Sequence, residues 1–272
     1  MSGLSISRAW EESRSILARD GRLFASVALA LVALPSLISG LLSPDGSPPA
    51  SSPILLDLIV LVASIAALAG QLALMRLALG PSITVGGAIG HGLKRMPIYF
   101  VSALIIVAVL FIVAVIIAAI LIALGVPVDA ESMPMTPAVI VALVALMALV
   151  FFAAVRMLMG GPVATAEHLG PIGILRRSWT LTAGHFWQLL GFLLMFFIGA
   201  VVVLLVVQTV AGIVARLLLG PIEPMSLSAL FVALFAAVAN ALVTGLFAVM
   251  LARIYAQLIG RDASVSVPTT GI

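Results

Sequence analysis

Three histidines, one serine beside a tryptophan and a short run of glycines are the residues whose types could do chemistry in this chain. A zinc-hydrolase helix places two histidines four residues apart with a glutamate between them. His91, His168 and His185 have no such partners. Glu167 and His168 are adjacent, and adjacent residues do not share a helical face. Ser178 has no recognisable base with an orienting partner, so its hydroxyl would remain a poor nucleophile. Gly86, Gly87 and Gly90 make a flexible stretch, but the Lys-Ser/Thr of a phosphate loop is missing. Cysteine is absent, which excludes disulfides and thiolate metal sites. The sequence therefore predicts no catalytic residue, no metal site, no cofactor and no enzyme.

A second group of residues is better suited to binding than to catalysis. Arg14, Lys94, Arg95, Arg176, Arg177 and Trp179 lie beside apolar runs, where lipid headgroups are met. Basic side chains at that depth attract anionic lipid, each contributing roughly 1 kcal/mol. Residues 163–199 concentrate the pattern: Arg176-Arg177-Ser178-Trp179, then Gly184, His185, Phe186, Trp187 and a long apolar segment. If 170–183 is an interfacial helix, Pro171 suits its first turn, where no intrahelical N–H partner is needed. Ile172, Leu175 and Trp179 then fall on one lipid-facing stripe. Gln71 and Asn240 are the polar residues set deepest in apolar runs. They are candidates for lining a substrate path, but interhelical hydrogen bonding is the expected role. Ala233, Ala237, Ala241 and Gly245, each four apart, predict a face for close packing against another helix. A homodimer seam or a membrane-protein partner is the alternative use of that face.

The elements that hold these residues follow from composition. Hydrophobic residues make up 64% of the 272 and charged residues 8%. Soluble domains carry about 25% charged residues, so lipid must be the solvent for most of this chain. The net charge of +3 and pI near 10.2 then report membrane orientation and not nucleic-acid binding. Six spans are predicted: 23–42, 54–79, 98–124, 138–159, 186–207 and 227–251. The first apolar run is longer than the roughly 7–15 residues of a secretory signal core, so it is expected to be retained. Twelve of the thirteen basic residues fall on one side of these spans, with Arg216 alone on the other. Basic residues in short loops face the cytoplasm, which predicts that both termini are cytoplasmic. Residues 5–19 have an amphipathic helical period and are expected to lie in the headgroup layer. The tail, 263–272, has no apolar periodicity and is expected to be disordered. The preference for Arg over Lys, with abundant Ala, Gly and Val, points to a GC-rich bacterium and hence to its cytoplasmic (inner) membrane.

The basic motifs repeat. Lys94-Arg95 precedes Arg176-Arg177 by 82 residues, and Arg14, Ser15, Gly21 and Phe24 align with Arg177, Ser178, Gly184 and Trp187 at a spacing of 163. The predicted fold is therefore all-α and polytopic: one six-span membrane domain over 1–262, with interfacial amphipathic helices on the cytoplasmic side. A threefold internal repeat is inferred, with units 4–80, 81–161 and 162–260, each an interfacial helix followed by two spans.

The stretch ILRRSWTLTAGHFWQLLG resembles the membrane region associated with bacterial glycerophosphoryl diester phosphodiesterases and related uncharacterised six-span membrane proteins. Arg176, Arg177, Ser178, Trp179, Leu181, Gly184, Phe186 and Trp187 carry the resemblance, which covers about thirty residues closely. It implies a membrane module and not phosphodiesterase activity, because the catalytic barrel of those enzymes is a separate soluble domain. Two functions are compatible with these readings. The first is a non-enzymatic module that interacts with lipid, expected to be anionic, or with partner proteins at the cytoplasmic leaflet. The alternative is a small transporter or lipid-translocating protein, which should show broken helices around a mid-membrane site.

Overall fold

The computed structural model describes residues 5–42, 54–80, 84–126, 136–223 and 226–265, and every regular element among them is helical. α1 (Ile6–Ala28) opens on Ser5, whose side chain accepts the Arg8 amide at 3.2 Å. It continues through a widened π turn, Leu29–Ala33, into α2 (Leu34–Leu42). Pro35 accounts for that turn. A proline ring inside a helix collides with the carbonyl four residues back and offers no N–H. Adding one residue to the preceding turn relieves the clash, and the Leu34 amide accordingly reaches the carbonyl of Leu29.

The other long helices are α3 (Ile54–Leu79), α4 (Val85–Ala123), α5 (Pro137–Met157), α8 (Phe186–Leu219) and α9 (Leu227–Val265). Two short ones, α6 (Gly160–Ala166) and α7 (Pro171–Thr182), stand between α5 and α8. Among the described residues six helices are long and apolar enough to cross a membrane, in agreement with the predicted count and order. Thr84 and Thr136 cap α4 and α5 by accepting the amides of Gly87 and Val139. α8 runs unbroken to Gly220, where φ of +92° ends it; its 34 residues cover about 51 Å.

Several expectations are corrected. Among the described residues, α7 alone of the three predicted interfacial stretches is a helix separate from the span that follows it. Residues 6–19 and 85–97 are continuous with the helices that follow them. The physical reason lies in the stops. Pro171 starts α7 and Gly184, at φ +81°, ends its linker. Gly21 sits inside α1, and Pro97 inside α4 does not end it. The amphipathic face of α1 is also used differently: Ala9, Ser13 and Ile16 are buried, in a bundle where α1 packs on α9 and α3. The Ser5 amide donates to Gln257 Oε1 at 3.3 Å. Residues 263–265, expected to begin the disordered tail, continue α9. Residues 266–272 lie outside the described residues, as do 43–53 and 127–135 in the two predicted outer connectors.

The core gathers at one end of the bundle. Leu72–Met75 of α3, Met159, Val163, Phe192 and Ala248–Ala252 of α9 are all buried. This is the end that carries Ile6, the start of α8 and the far end of α9. α9 is central, touching α1, α2, α3 and α8. Glycines bring backbones close here. A Cβ on Gly92 would stand 2.6 Å from the carbonyl oxygen of Ala69 and 3.1 Å from the amide of Ala73. One on Gly70 would meet Leu31 Cβ at 2.5 Å. The small-residue stripe packs as expected: Ala233, Ala237, Ala241 and Gly245 are buried, and Ala233 lies against Gly40 of α2.

Candidate functional site

The chain turns sharply between α5 and α8, and the turn is locked by short polar side chains. The last carbonyls of a helix lack intrahelical donors. At the end of α5 the Ser178 hydroxyl supplies one, donating to the Arg156 carbonyl at 2.7 Å. Thr182 Oγ1 in turn donates to the Ser178 carbonyl at 2.9 Å. Ser178 is fully buried in this role, so its hydroxyl is structural. His91 Nε2 meets the Thr165 carbonyl at 2.9 Å, tying α4 to α6. Thr165 itself donates to the Gly161 carbonyl at 2.6 Å.

Glu167 is the hub of the turn. Its Oε1 accepts Arg177 Nε at 3.0 Å and the Tyr255 hydroxyl at 2.9 Å. One carboxylate thus joins the α6–α7 linker, α7 and α9. The Arg177 and Glu167 side chains are 31% and 25% exposed, so the pair is shielded on much of its surface and keeps more of its strength than an open one.

Arg156 occupies the other side of the turn. Its guanidinium carbon lies 4.9 Å from the Trp179 ring centre, 5.2 Å from Phe152 and 5.9 Å from Phe186. Phe152 also packs on Trp179 and Phe186, at 5.6 and 5.5 Å. Ring faces attract a cation, by roughly 0.5–2 kcal/mol each depending on exposure. Arg156 Nε and Nη1 are nevertheless enclosed with no acceptor. Nη2 is not among these enclosed nitrogens. A guanidinium seated among rings with spare donors suits a phosphate oxygen.

The sequence-predicted residues are divided by this geometry. Arg176 and Trp179 share the exposed face of α7 with Ile172, while Leu175 is half-buried. Trp179 is 46% exposed. Arg177, expected beside Arg176 at the headgroups, turns inward to Glu167. Helical geometry explains the split, because adjacent residues diverge by about 100° around the axis. Arg14 and Lys94 are exposed and Arg95 is half-buried, on α1 and α4. Those three make no side-chain hydrogen bond or ion pair among the described residues. Asn240 Nδ2 donates to Ser36 Oγ at 2.9 Å, the interhelical bond expected of it. Gln71 is half-buried on α3, away from the turn.

Sequence reasoning missed two things. Arg156 is held by Phe152 at i−4 and by rings from α7 and α8, a seat that its place near the end of an apolar run does not reveal. The i−4 aromatic was the visible signal. Glu167 is the sole acidic residue between 132 and 222. A lone carboxylate ten residues before an arginine pair was the signal for the ion pair.

Six apolar helices and a turn locked by polar contacts at one bundle end define a polytopic α-helical membrane protein. Its family is shown by sequence: residues 4–258 match the model described as a domain of unknown function (DUF7847), and the chain belongs to that family. No curated protein and no solved structure matches it.

Proposed function

We propose that this protein is a non-enzymatic module of a bacterial cytoplasmic membrane, with both termini in the cytoplasm, that binds anionic lipid headgroups through the α5–α7–α8 turn. The observation that carries the reading is the exposed face of α7, where Arg176 and Trp179 stand beside Arg156 in its seat among Phe152, Trp179 and Phe186. Exposed Arg176 and Trp179 on the adjoining face supply a second cation and an amphipathic ring, which suits the headgroup layer. Arg14, Lys94 and Arg95 would add attraction along the same leaflet without forming part of the turn. The resemblance of this stretch to the membrane region associated with glycerophosphoryl diester phosphodiesterases fits a module without chemistry of its own. Asn240 is engaged with Ser36 and α8 is unbroken, which favours a binding module over the alternative of a transporter or lipid translocator.

The test separates the two adjacent arginines. Arg176→Glu should lower co-purifying anionic lipid, read by native mass spectrometry, by about fivefold or more, since it exchanges attraction for repulsion near the phosphate. Arg177→Glu should chiefly lower thermal stability. Undiminished lipid in Arg176→Glu would end the proposal. The orientation has its own check, because the chain has no native cysteine. Single cysteines at positions 47 and 130 should react with an impermeant thiol reagent from outside, and those at 12 and 265 should not.

A further inference from the structure

A groove of about 600 Å³ opens between α1, the C-terminal end of α3 and α9. It lies outside the Arg156 turn and draws on different residues. Its wall on α1 is a single helical face from Glu12 through Arg19 and Asp20 to Leu23, about 16 Å long. Polarity changes along that wall. The charged residues come first, and Leu23 and Phe24 follow where α1 enters its apolar run. A groove polar at its mouth and apolar in depth matches the join between a lipid headgroup and its acyl chains.

The charges in the groove are balanced and mixed. Arg253 of α9 is fixed by donating from Nη2 to the Ala78 carbonyl at 2.6 Å. Its Nε is enclosed without an acceptor, leaving Nη1 as the donor able to serve a ligand. Arg19 pairs with Asp20 at 3.0 Å, but its side chain is 71% exposed, so that pair is weak. The Glu12 carboxylate makes no hydrogen bond or ion pair among the described residues. The C-terminal end of α3, whose residues 77–79 line the groove, adds negative partial charge. A purely anionic headgroup would meet two carboxylates and a helix C-terminus. A purely cationic one would meet two guanidiniums.

We infer that this groove binds a zwitterionic aminophospholipid headgroup, with its phosphate on Arg253 and its primary ammonium on Glu12, while Asp20, about 12 Å further along α1, adds to the negative field of the groove. A primary ammonium donates hydrogen bonds to carboxylates and carbonyls. A quaternary choline carries the same charge with no N–H to give. The groove therefore discriminates between the two by hydrogen bonding. The glycerol and first acyl carbons lie against Leu23 and Phe24.

Delipidated protein in detergent, titrated with phosphatidylethanolamine, phosphatidylcholine and phosphatidylglycerol and read by native mass spectrometry, tests the assignment. Phosphatidylethanolamine should bind about tenfold more tightly than phosphatidylcholine, the value of one charged hydrogen bond. Glu12→Gln/Asp20→Asn should abolish that preference and strengthen phosphatidylglycerol binding, because the two carboxylates that repel an anionic headgroup are gone. Arg253→Gln should weaken both zwitterionic lipids. Because Arg253→Gln also removes the bond to Ala78, the Glu12→Gln single variant, which alters an unpaired side chain, carries the test if Arg253→Gln fails to fold; it should narrow the preference. Equal binding of the two zwitterionic lipids to the wild type, or an unchanged preference in the double carboxylate variant, overturns the inference. Displacement of bound phosphatidylethanolamine by free phosphoethanolamine would assign the site to a soluble zwitterion and overturn the lipid. Loss of lipid binding in Arg176→Glu would bear on the α7 turn alone, so the two proposals fail separately.

Discussion

The two ends of α3 differ more than their sequences do. Leu72, Ala73, Leu74 and Met75, near its C-terminus, are at most 2% exposed. Ile54, Leu58, Leu61 and Val62, near its N-terminus, are between 52% and 85% exposed. α9 repeats the contrast in the same chain direction, with Leu227 67% exposed and Ala248 and Ala252 fully buried. Both patterns place the dense end where Glu167, Arg177, Ser178 and Arg253 make their bonds. The difference follows from the solvent. Lipid tails are as apolar as leucine, so burying Leu61, which lies inside the span, against another helix gains little. At the headgroup end water returns, apolar burial again contributes roughly 25 cal/mol per Å², and polar groups need partners. Stability in this fold is therefore concentrated where the candidate lipid contacts are.

The sharpest way to break the contrast is to put the same methyl group at each end. Gly92→Ala must push a Cβ into the backbone of α3, with the Ala69 oxygen only 2.6 Å away. Overpacking of this kind costs roughly 1–3 kcal/mol. Gly199→Ala, in the exposed stretch of α8, meets nothing within 4 Å. It should be neutral or stabilising by up to about 1 kcal/mol through helix propensity. Thermal unfolding in one detergent compares them directly. Equal shifts would mean that the two ends are packed alike.

Glu167→Ala comes next in size. It leaves Arg177 without its carboxylate and the Tyr255 hydroxyl without its acceptor. A cost of about 2 kcal/mol is expected, because a partly shielded charge loses its partner. Tyr255→Phe removes one neutral donor and should cost about 1 kcal/mol. The double mutant Glu167→Ala/Tyr255→Phe should cost less than the sum of the single changes. Strict additivity would show that the Tyr255 bond contributes nothing.

This contrast was only partly legible in the sequence. Span number, order and the small-residue face of α9 were readable, because hydropathy and four-residue spacing are local properties. The helix junctions were not. Gly21 and Gly184 align at the basic motif, yet Gly184 adopts φ +81° and Gly21 stays within α1. Whether a glycine bends depends on what packs on either side of it. The same limit hid Arg177: its neighbour Arg176 is chemically identical, and only the placement of α7 against Glu167 separates them. Pairs such as Glu167 and Tyr255, 88 residues apart, leave no periodic trace.

The smallest effect tests the middle of the membrane, between the two ends. Asn240 donates to Ser36 across α9 and α2 at 2.9 Å, one turn from the buried Ala237 and beside Ala241. In water an exposed amide would be indifferent to losing such a bond. In hydrocarbon the amide has no other partner, which suggests a large cost, but the unfolded chain in a membrane also finds partners. Interhelical bonds of this kind average about 0.6 kcal/mol. Asn240→Ala should therefore shift stability by about that amount, and Ser36→Ala by the same. The pair of changes together should cost no more than either alone, since both delete one bond. A larger loss in Asn240→Ala than in Ser36→Ala would show that Asn240 serves another partner within the membrane, and would move the balance toward the transport reading.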